Sequence, residues 1–342
     1  MQQSQLNRHV EVQSQTWARD SHGLFDYESK TTISQSFTCS SSGYLCRSGD
    51  ELAYTPTDLP APAEALASLQ LSGPQEVTLQ PRQETWVSLR FLGESGLELS
   101  QGQVLRLGRV KYQVKSLYNG LEKPMDSSEG DIDTSDEDCL EESGKVDKSQ
   151  AVCRVCWERE TESNPLLSQC RCSGSIQFIH LDCLRHWLAG KVATRETEGC
   201  VTYSWKTLEC EVCKTALPLV LHHKGKALSL FRISKPESAH VILETDDLEI
   251  PALKCVHVIS FDTARTEVRL GRGHSSDIRI NDISVSRCHA IVRLRDGKFL
   301  LEDCNSKFGT LMKVTQELKL GTEKVTLQMG RSLVTMSSEA CS

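Results

Sequence analysis

The chain has 342 residues, enough for two or three domains, and 38% of them are hydrophobic, which permits ordinary cores in some segments. Lys and Arg total 39 against 46 Asp and Glu, a formal charge of -7, which argues against phosphate-backbone binding as the main activity and so against nucleic acid as a partner. No apolar run approaches the roughly 20 residues of a membrane helix, and the start MQQSQLNRHVEVQSQ lacks the basic n-region and apolar core of a signal peptide. A cytoplasmic or nuclear place, without membrane insertion or secretion, is therefore expected. In such a compartment the 15 cysteines suggest metal ligation rather than disulfides.

Residues 1–75 are rich in Ser, Gln and Thr, and this composition predicts a largely disordered N-terminal region. Residues 76–120 change character, with short β-prone runs (VTLQ, WVSLRFL, VLRLG, VKYQVKSL) between Gly, Pro and Ser, so a small β segment is expected. Residues 121–148 read as a solvated acidic linker: the stretch 122–150 holds 11 acidic residues against three lysines, too much charge and too few apolar groups to offset its ordering entropy. A cysteine-rich segment fills 149–218, with HLDCLRHWLAGKV as its one convincing helix. From about 236 to 338, short runs such as HVILET, CVHVISF, CHAIVRL and KFLLED predict an all-β sandwich. LELSQGQVLRLGRVKYQV at 97–114 echoes LKLGTEKVTLQMGRSLVTM at 318–336 with one inserted residue. The echo reads either as a repeated β unit, a degenerate half-sandwich, or simply as two hairpins ending in a Gly-Arg turn.

The ligand-grade residues of the middle segment are Cys153-x2-Cys156, Cys170-x-Cys172, His180-x2-Cys183 and Cys210-x2-Cys213. Eight ligands fill two tetrahedral zinc sites. In a cross-brace, Cys153, Cys156, His180 and Cys183 share one ion, while Cys170, Cys172, Cys210 and Cys213 share the other. Neither site then keeps an open position for water, so the two Zn2+ are folding elements rather than hydrolytic centres.

AVCRVCW, CRCSGSIQFIHLDCLRHWL and CEVCK resemble the RING-CH (C4HC3, RINGv) finger of E3 ubiquitin ligases. A PHD finger, which would make the chain a chromatin reader, has a wider second ligand pair, a shorter gap than the seven residues between Cys172 and His180, and usually an aromatic where Leu208 stands. The resemblance implies a RING-type transferase that binds a ubiquitin-charged E2 and supplies no nucleophile of its own. Val155 and Trp187 match the positions of the apolar E2 groove, and Lys214 matches the cationic linchpin that steadies ubiquitin. The alternative reading of Trp187 is a core filler beneath the zinc knuckle. Cys200, inside the 26 residues between Cys183 and Cys210, reads as a loop residue rather than a ligand or nucleophile.

VRLGRGHSSDIRINDISVSRCHAIVRLRDGKFLLEDCNSKFGT, at 268–310, resembles an FHA domain, a β-sandwich whose end loops bind phosphothreonine peptides. A guanidinium pairs bidentately with phosphate, and a hydroxyl and a second cation complete such a pocket. The resemblance assigns Arg272, Ser286 and Arg287 to phosphate contact, with Lys307 as an added cation and His289 as a brace between loops. Asn305 reads as a turn residue. Phe308 departs from the asparagine common there, which puts peptide-backbone binding in question.

The expected protein is thus multi-domain: a small zinc-stabilised α+β cross-brace finger and an all-β FHA sandwich, with a small N-terminal β segment and disordered linkers. Its expected partners are an E2, ubiquitin and a phosphothreonine-containing client. Thr134, with Glu137 three positions on, is a candidate internal ligand of the FHA loops. The alternative is a noncatalytic phosphopeptide-binding scaffold, whose finger folds without engaging an E2.

Overall fold

A computed structural model describes residues 8–19, 23–56, 65–72, 76–120, 150–223, 226–231, 233–246 and 253–340. The acidic linker, with Thr134 and Glu137, lies outside the described residues. The chain divides into two units: residues 1–114 with 266–342, and residues 115–265.

The first unit starts with β1 (Arg8–Trp17), β2 (Thr32–Cys39), β3 (Gly43–Ser48), β4 (Glu51–Pro56), β5 (Ala65–Ser72), β6 (Glu76–Pro81), β7 (Thr85–Ser88), β8 (Leu97–Glu98), β9 (Val104–Leu107) and β10 (Val110–Tyr118), the last of which runs across the division. The second holds β11 (Leu166–Leu167), β12 (Ile179–His180), α1 (Leu181–Ala189), β13 (Ala193–Thr197), β14 (Cys200–Trp205), β15 (Val220–His223), β16 (Lys226–Ser229), β17 (His240–Thr245) and β18 (Lys254–Ser260). The first unit resumes with β19 (Glu267–Gly271), β20 (Ile278–Arg279), β21 (Ala290–Arg295), β22 (Lys298–Asp303), β23 (Thr310–Lys313), β24 (Leu318–Leu320), β25 (Val325–Met329) and β26 (Ser332–Ala340).

The polar N-terminal region is therefore structured, contrary to the disorder its composition suggests. In β1, Val10, Val12, Ser14 and Thr16 are all buried while Gln13 and Gln15 are exposed, a strict period of two. One of the two inward hydroxyls is satisfied across the sheet, Thr16 Oγ1 lying 2.9 Å from Ser332 Oγ, whereas Ser14 Oγ is buried without a hydrogen-bond partner among the described residues. β1 pairs with β2 on one side and with β26 on the other. Its core joins both ends of the sequence, with Val10, Val12, Leu45, Leu69 and Leu79 packing with Leu327, Val334 and Met336; each such side chain contributes about 1.5–3 kcal/mol on burial.

Two five-stranded sheets of this unit have matching plans. One runs β24-β6-β5-β3-β4 and the other β8-β22-β21-β19-β20. Each is built from one half of the sequence except for its edge strand, which comes from the other half. Leu97 and Glu98 of β8 pair with Leu301 and Leu300 of β22, whereas β24 pairs with β6. Beside them β7 and β23 pair antiparallel, β9 flanks β23, and β25 flanks β7. The hairpins β9-β10 and β25-β26 close with two-residue turns, Gly108-Arg109 and Gly330-Arg331, whose glycines have φ of 63° and 60°; that left-handed first position is what a tight hairpin turn demands. The echo between 97–114 and 318–336 is thus a structural correspondence, with the edge strands exchanged.

The second unit also departs from the sequence reading. β17 and β18, expected to open a sandwich at 236, lie in this unit instead, where β18 pairs along β14 from Cys200↔Ile259 to Trp205↔Lys254. Between the third and fourth ligand pairs, after α1, residues 193–205 therefore form a hairpin that adds to the β17-β18 pair, not a loose loop. Leu166, Leu184, Leu188 and Trp205 share one core with Leu219, Ile242 and Val258. The cysteine-rich segment is packed, not tethered. α1 is the one α-helix among the described residues, and it buries Leu181, Leu184 and Leu188, at i, i+3 and i+7.

Candidate metal centres and phosphopeptide loops

The two zinc knuckles are built alike. Cys153 N–H donates to the Glu158 carbonyl and Trp157 N–H to the Cys153 carbonyl; Cys210 N–H donates to the Thr215 carbonyl and Lys214 N–H to that of Cys210, all at 2.9 Å. Trp157 and Lys214, each just after the second cysteine of its pair, have φ of 64° and 59°, the left-handed step that brings two sulfurs to one side of the turn. The third pair arises differently: β12 pairs with β11 at Leu166↔His180, and α1 begins directly after His180, so Cys183 falls in its first turn.

These elements bring Cys153, Cys156, His180 and Cys183 into one cluster and Cys170, Cys172, Cys210 and Cys213 into another, with the ligand atoms of each within 4.8 Å of one another. Cys156 Sγ is 3.1 Å from His180 Nδ1, and Cys172 Sγ is 3.7 Å from Cys210 Sγ. His180 Nε2 faces the Arg159 carbonyl at 3.0 Å; since a carbonyl only accepts, that nitrogen carries the proton and Nδ1 keeps its lone pair for the metal. Three thiolates with an imidazole in one cluster, and four thiolates in the other, fit tetrahedral Zn2+ with no position left for substrate.

Thiolates gathered this closely repel one another, a repulsion that a bound cation offsets. Burial, reinforced by neighbouring thiols, pushes the Cys172 and Cys183 thiols up to about 12. For Cys153, burial is outweighed by hydrogen bonds from the Cys156, His180 and Val155 backbone, which lower it to about 7. Cys213 is lowered to about 5, chiefly by Thr215. Arg154, which the sequence reading did not single out, adds positive charge: its guanidinium lies 3.7 Å from Cys172 Sγ and 3.9 Å from those of Cys170 and Cys210, and it donates to the Ile176 carbonyl at 3.1 Å. Its place between Cys153 and Val155 ties the first knuckle to the second cluster. Cys200 is 2% exposed within β14 and belongs to neither cluster.

Val155 is 54% exposed on the first knuckle, and Val212 stands 62% exposed at the same position of the other. Trp187 is partly buried against the core, with Lys191 Nζ 5.3 Å from its ring centroid. It lines a groove of about 480 Å³ together with Trp205, Leu208, Glu211 and Lys214, so two of the three residues matched to E2 and ubiquitin contact share one surface while Val155 lies outside it. Lys214 Nζ pairs with Glu209 at 3.1 Å.

In the first unit, three loops meet at one end of the β19-β21-β22 sheet. Arg272 N–H donates to the Ser286 carbonyl and Gly273 N–H to that of Arg287, both at 2.9 Å. Ser286 N–H donates to His289 Nδ1 at 3.0 Å, and His289 Nε2 therefore donates onward to Gly309 O at 3.1 Å. Lys307 N–H reaches Ser286 Oγ at 3.0 Å. His289 is fully buried, and burial lowers its pKa, so it holds the loops as a neutral ring. Arg272, Arg287 and Lys307 are exposed around Ser286. Asn305 has φ of 53°, at a turn.

The buried carboxylate of Asp303 is a further organiser that the motif did not announce. It accepts hydrogen bonds from the backbone N–H and hydroxyl of both Ser306 and Thr310, at 2.5–3.1 Å. Phe308 faces an aromatic cluster with Trp17, Phe25, Tyr27 and Leu333, so the residue standing in place of asparagine is part of a small core.

Two segments of the chain match known domain families. Residues 153–213 match the RING-variant domain and residues 268–334 the FHA domain; the chain carries both. It is 36% identical over 86 residues to "E3 ubiquitin-protein ligase MARCHF7" of Pongo abelii, which is 25% of this chain and 10% of that protein. It is 43% identical over 67 residues to "Probable E3 ubiquitin-protein ligase MARCHF10" of Homo sapiens, 19% of this chain and 8% of that one. Against "ERAD-associated E3 ubiquitin-protein ligase DOA10" of Saccharomyces cerevisiae it is 37% identical over 65 residues, covering 19% and 4%. The chain thus spans a tenth or less of the length of these relatives. No solved structure matches. Among the described residues no helix is long and apolar enough to cross a membrane.

Proposed function

We propose that this protein is a RING-type E3 ubiquitin ligase that recruits a ubiquitin-charged E2 through residues 153–213 and phosphothreonine-containing clients through the loops bearing Arg272, Ser286, Arg287 and Lys307. The observation that carries the reading is the pair of closed four-ligand clusters in cross-brace order. Cys153, Cys156, His180 and Cys183 would hold one Zn2+, and Cys170, Cys172, Cys210 and Cys213 the other. Closed metal sites stabilise a fold and present a surface; they do not activate water. The ions would supply only that rigidity.

The chain's own residues then act by binding. Val155 offers exposed apolar surface to the E2, Trp187 one wall of the groove, and Lys214 a cation for ubiquitin, each by its match to the finger's motif. The client lysine attacks the E2 thioester, so no residue of this chain forms a covalent intermediate. Arg272, Ser286, Arg287 and Lys307 supply cations and a hydroxyl, complementary to a phosphate dianion.

The test is discharge of ubiquitin from a panel of charged E2 enzymes to free lysine by the zinc-loaded full chain, beside Trp187→Ala and Val155→Ala. The expected result is acceleration by the parent and its loss in the variants, with zinc content unchanged. A folded, two-zinc protein that accelerates no E2 across the panel would instead make the chain a noncatalytic phosphopeptide scaffold.

A further inference from the structure

Lys307 is held from three directions. Its backbone N–H donates to Ser286 Oγ at 3.0 Å, its carbonyl accepts from Tyr27 N–H at 3.0 Å, and its Nζ lies 3.4 Å from Asp26 Oδ2. The last two partners come from the segment between β1 and β2, far away in sequence. That segment is anchored firmly. Phe25 is 2% exposed and packs edge-on against Tyr27 at 5.1 Å between ring centroids, and the Tyr27 hydroxyl lies 2.6 Å from Ser88 Oγ. Asp26, between these two residues in sequence, has a side chain only 11% exposed, with Oδ1 accepting the Glu28 N–H at 2.9 Å in a turn that fixes the carboxylate.

We propose that Asp26 is a positioning residue of the phosphate pocket: a built-in counter-anion that holds the Lys307 ammonium and sets how tightly a phosphothreonine peptide binds. This rests on the phosphopeptide reading of the Arg272–Ser286–Lys307 loops. The Lys307 side chain is 47% exposed and long, whereas Asp26 is nearly enclosed, so the cation is the partner that can move. A phosphate arriving at the Ser286 hydroxyl must either draw Lys307 away from Asp26 or accept a fixed carboxylate nearby. Both cost binding energy, because the pair is broken in the first case and like charges approach in the second. The neighbouring cation Arg90 offers Asp26 no substitute in this arrangement: it lies over the Tyr27 ring at 5.0 Å, donates to the Ser306 carbonyl at 2.8 Å and faces Asp303 at 3.9 Å.

The experiment is a double-mutant cycle on the full chain, using a fluorescent pool of degenerate phosphothreonine peptides and its unphosphorylated counterpart. Asp26→Asn keeps an oxygen for the Glu28 N–H and removes only the charge. It is expected to bind the phosphorylated pool roughly twofold to fivefold tighter than the parent, with a steeper loss of affinity on adding salt. Lys307→Ala weakens binding, and in that background Asp26→Asn brings no further gain. A structural defect would loosen binding, so unchanged or weaker binding by Asp26→Asn overturns the proposal, as does an equal gain in the Lys307→Ala background. If no variant distinguishes the two pools and Arg272→Ala behaves like the parent, the phosphopeptide reading itself has failed and the proposal falls with it.

Discussion

Leu301 of β22, 1% exposed in the middle of the segment that matches the FHA domain, lies directly opposite Leu97 of β8 across an antiparallel pair. β23 likewise lies between β9 and β7, and β25 is flanked by β7. A fragment of residues 266–342 would therefore expose one edge of β22 and both edges of β23, with buried residues such as Leu301 and Leu311 left uncovered. We expect that fragment alone to show no cooperative unfolding transition by circular dichroism, and to gain one when residues 1–119 are supplied as a second chain. A sharp transition from the fragment alone would show that the exchanged edge strands are dispensable.

The two candidate sites could be read from the sequence because each is marked by short, closely spaced motifs. Cys153-x2-Cys156, Cys210-x2-Cys213 and Ser286-x2-His289 announce themselves by spacing, and the α1 helix by its leucines. The N-terminal strands were not, because hydrophobicity is a poor guide where inward positions are filled by hydroxyls: β1 reads as a polar tract until β26 provides Ser332 for Thr16. The exchange of β8 and β24 was equally hidden, since nothing in a strand of two or three residues says which half it joins. The echo between 97–114 and 318–336 was the one available signal. Residues 240–260 failed for a related reason: an apolar strand run specifies a buried strand but not its neighbour, and here the neighbour is β14 of the finger region.

Phe308 stands where asparagine is common among phosphopeptide-binding loops, and its packing gives it a structural role there. Its ring centroid is 6.3 Å from that of Trp17, within a cluster whose Phe25 and Leu333 are 2% and 5% exposed. Restoring asparagine by Phe308→Asn is expected to destabilise the first unit by roughly 1–3 kcal/mol, because a half-buried ring gives up its apolar packing to a smaller polar group. Urea denaturation followed by tryptophan fluorescence measures this. A variant as stable as the parent would mean the cluster contributes nothing there.

Metal removal should reach beyond the ligands. Cys153, Leu184 and Trp205 share a core with Leu219, Ile242 and Val258, so a finger that loses its ions loses one wall of the packing around β17 and β18. Chelation is expected to release two zinc ions per chain and to raise amide hydrogen exchange in α1, β14 and β18 together, while β5 and β6 keep their protection. Retained protection in β18 after complete zinc loss would uncouple the sheet from the finger.

His257 should make the second unit sensitive to mild acid. It sits opposite Thr202 in the β14-β18 pair, with Nδ1 2.9 Å from Thr202 Oγ1 and 3% of its surface exposed. Burial lowers its pKa from 6.5 to about 4. The unfolded chain therefore takes up the proton first as pH falls, so the stability conferred by keeping this ring neutral is complete above about 6.5 and is lost progressively toward 4. By pH 5 the loss attributable to this residue is about 2 kcal/mol. Burial lowers His240 and His289 as well, and zinc ligands also gain protons in acid, so the comparison that isolates His257 is between the parent and His257→Gln. Between about pH 7.5 and pH 5, in saturating zinc, the parent should lose that much more stability in urea than the variant; parallel curves for the two proteins would mean that His257 titrates alike in the folded and unfolded chain.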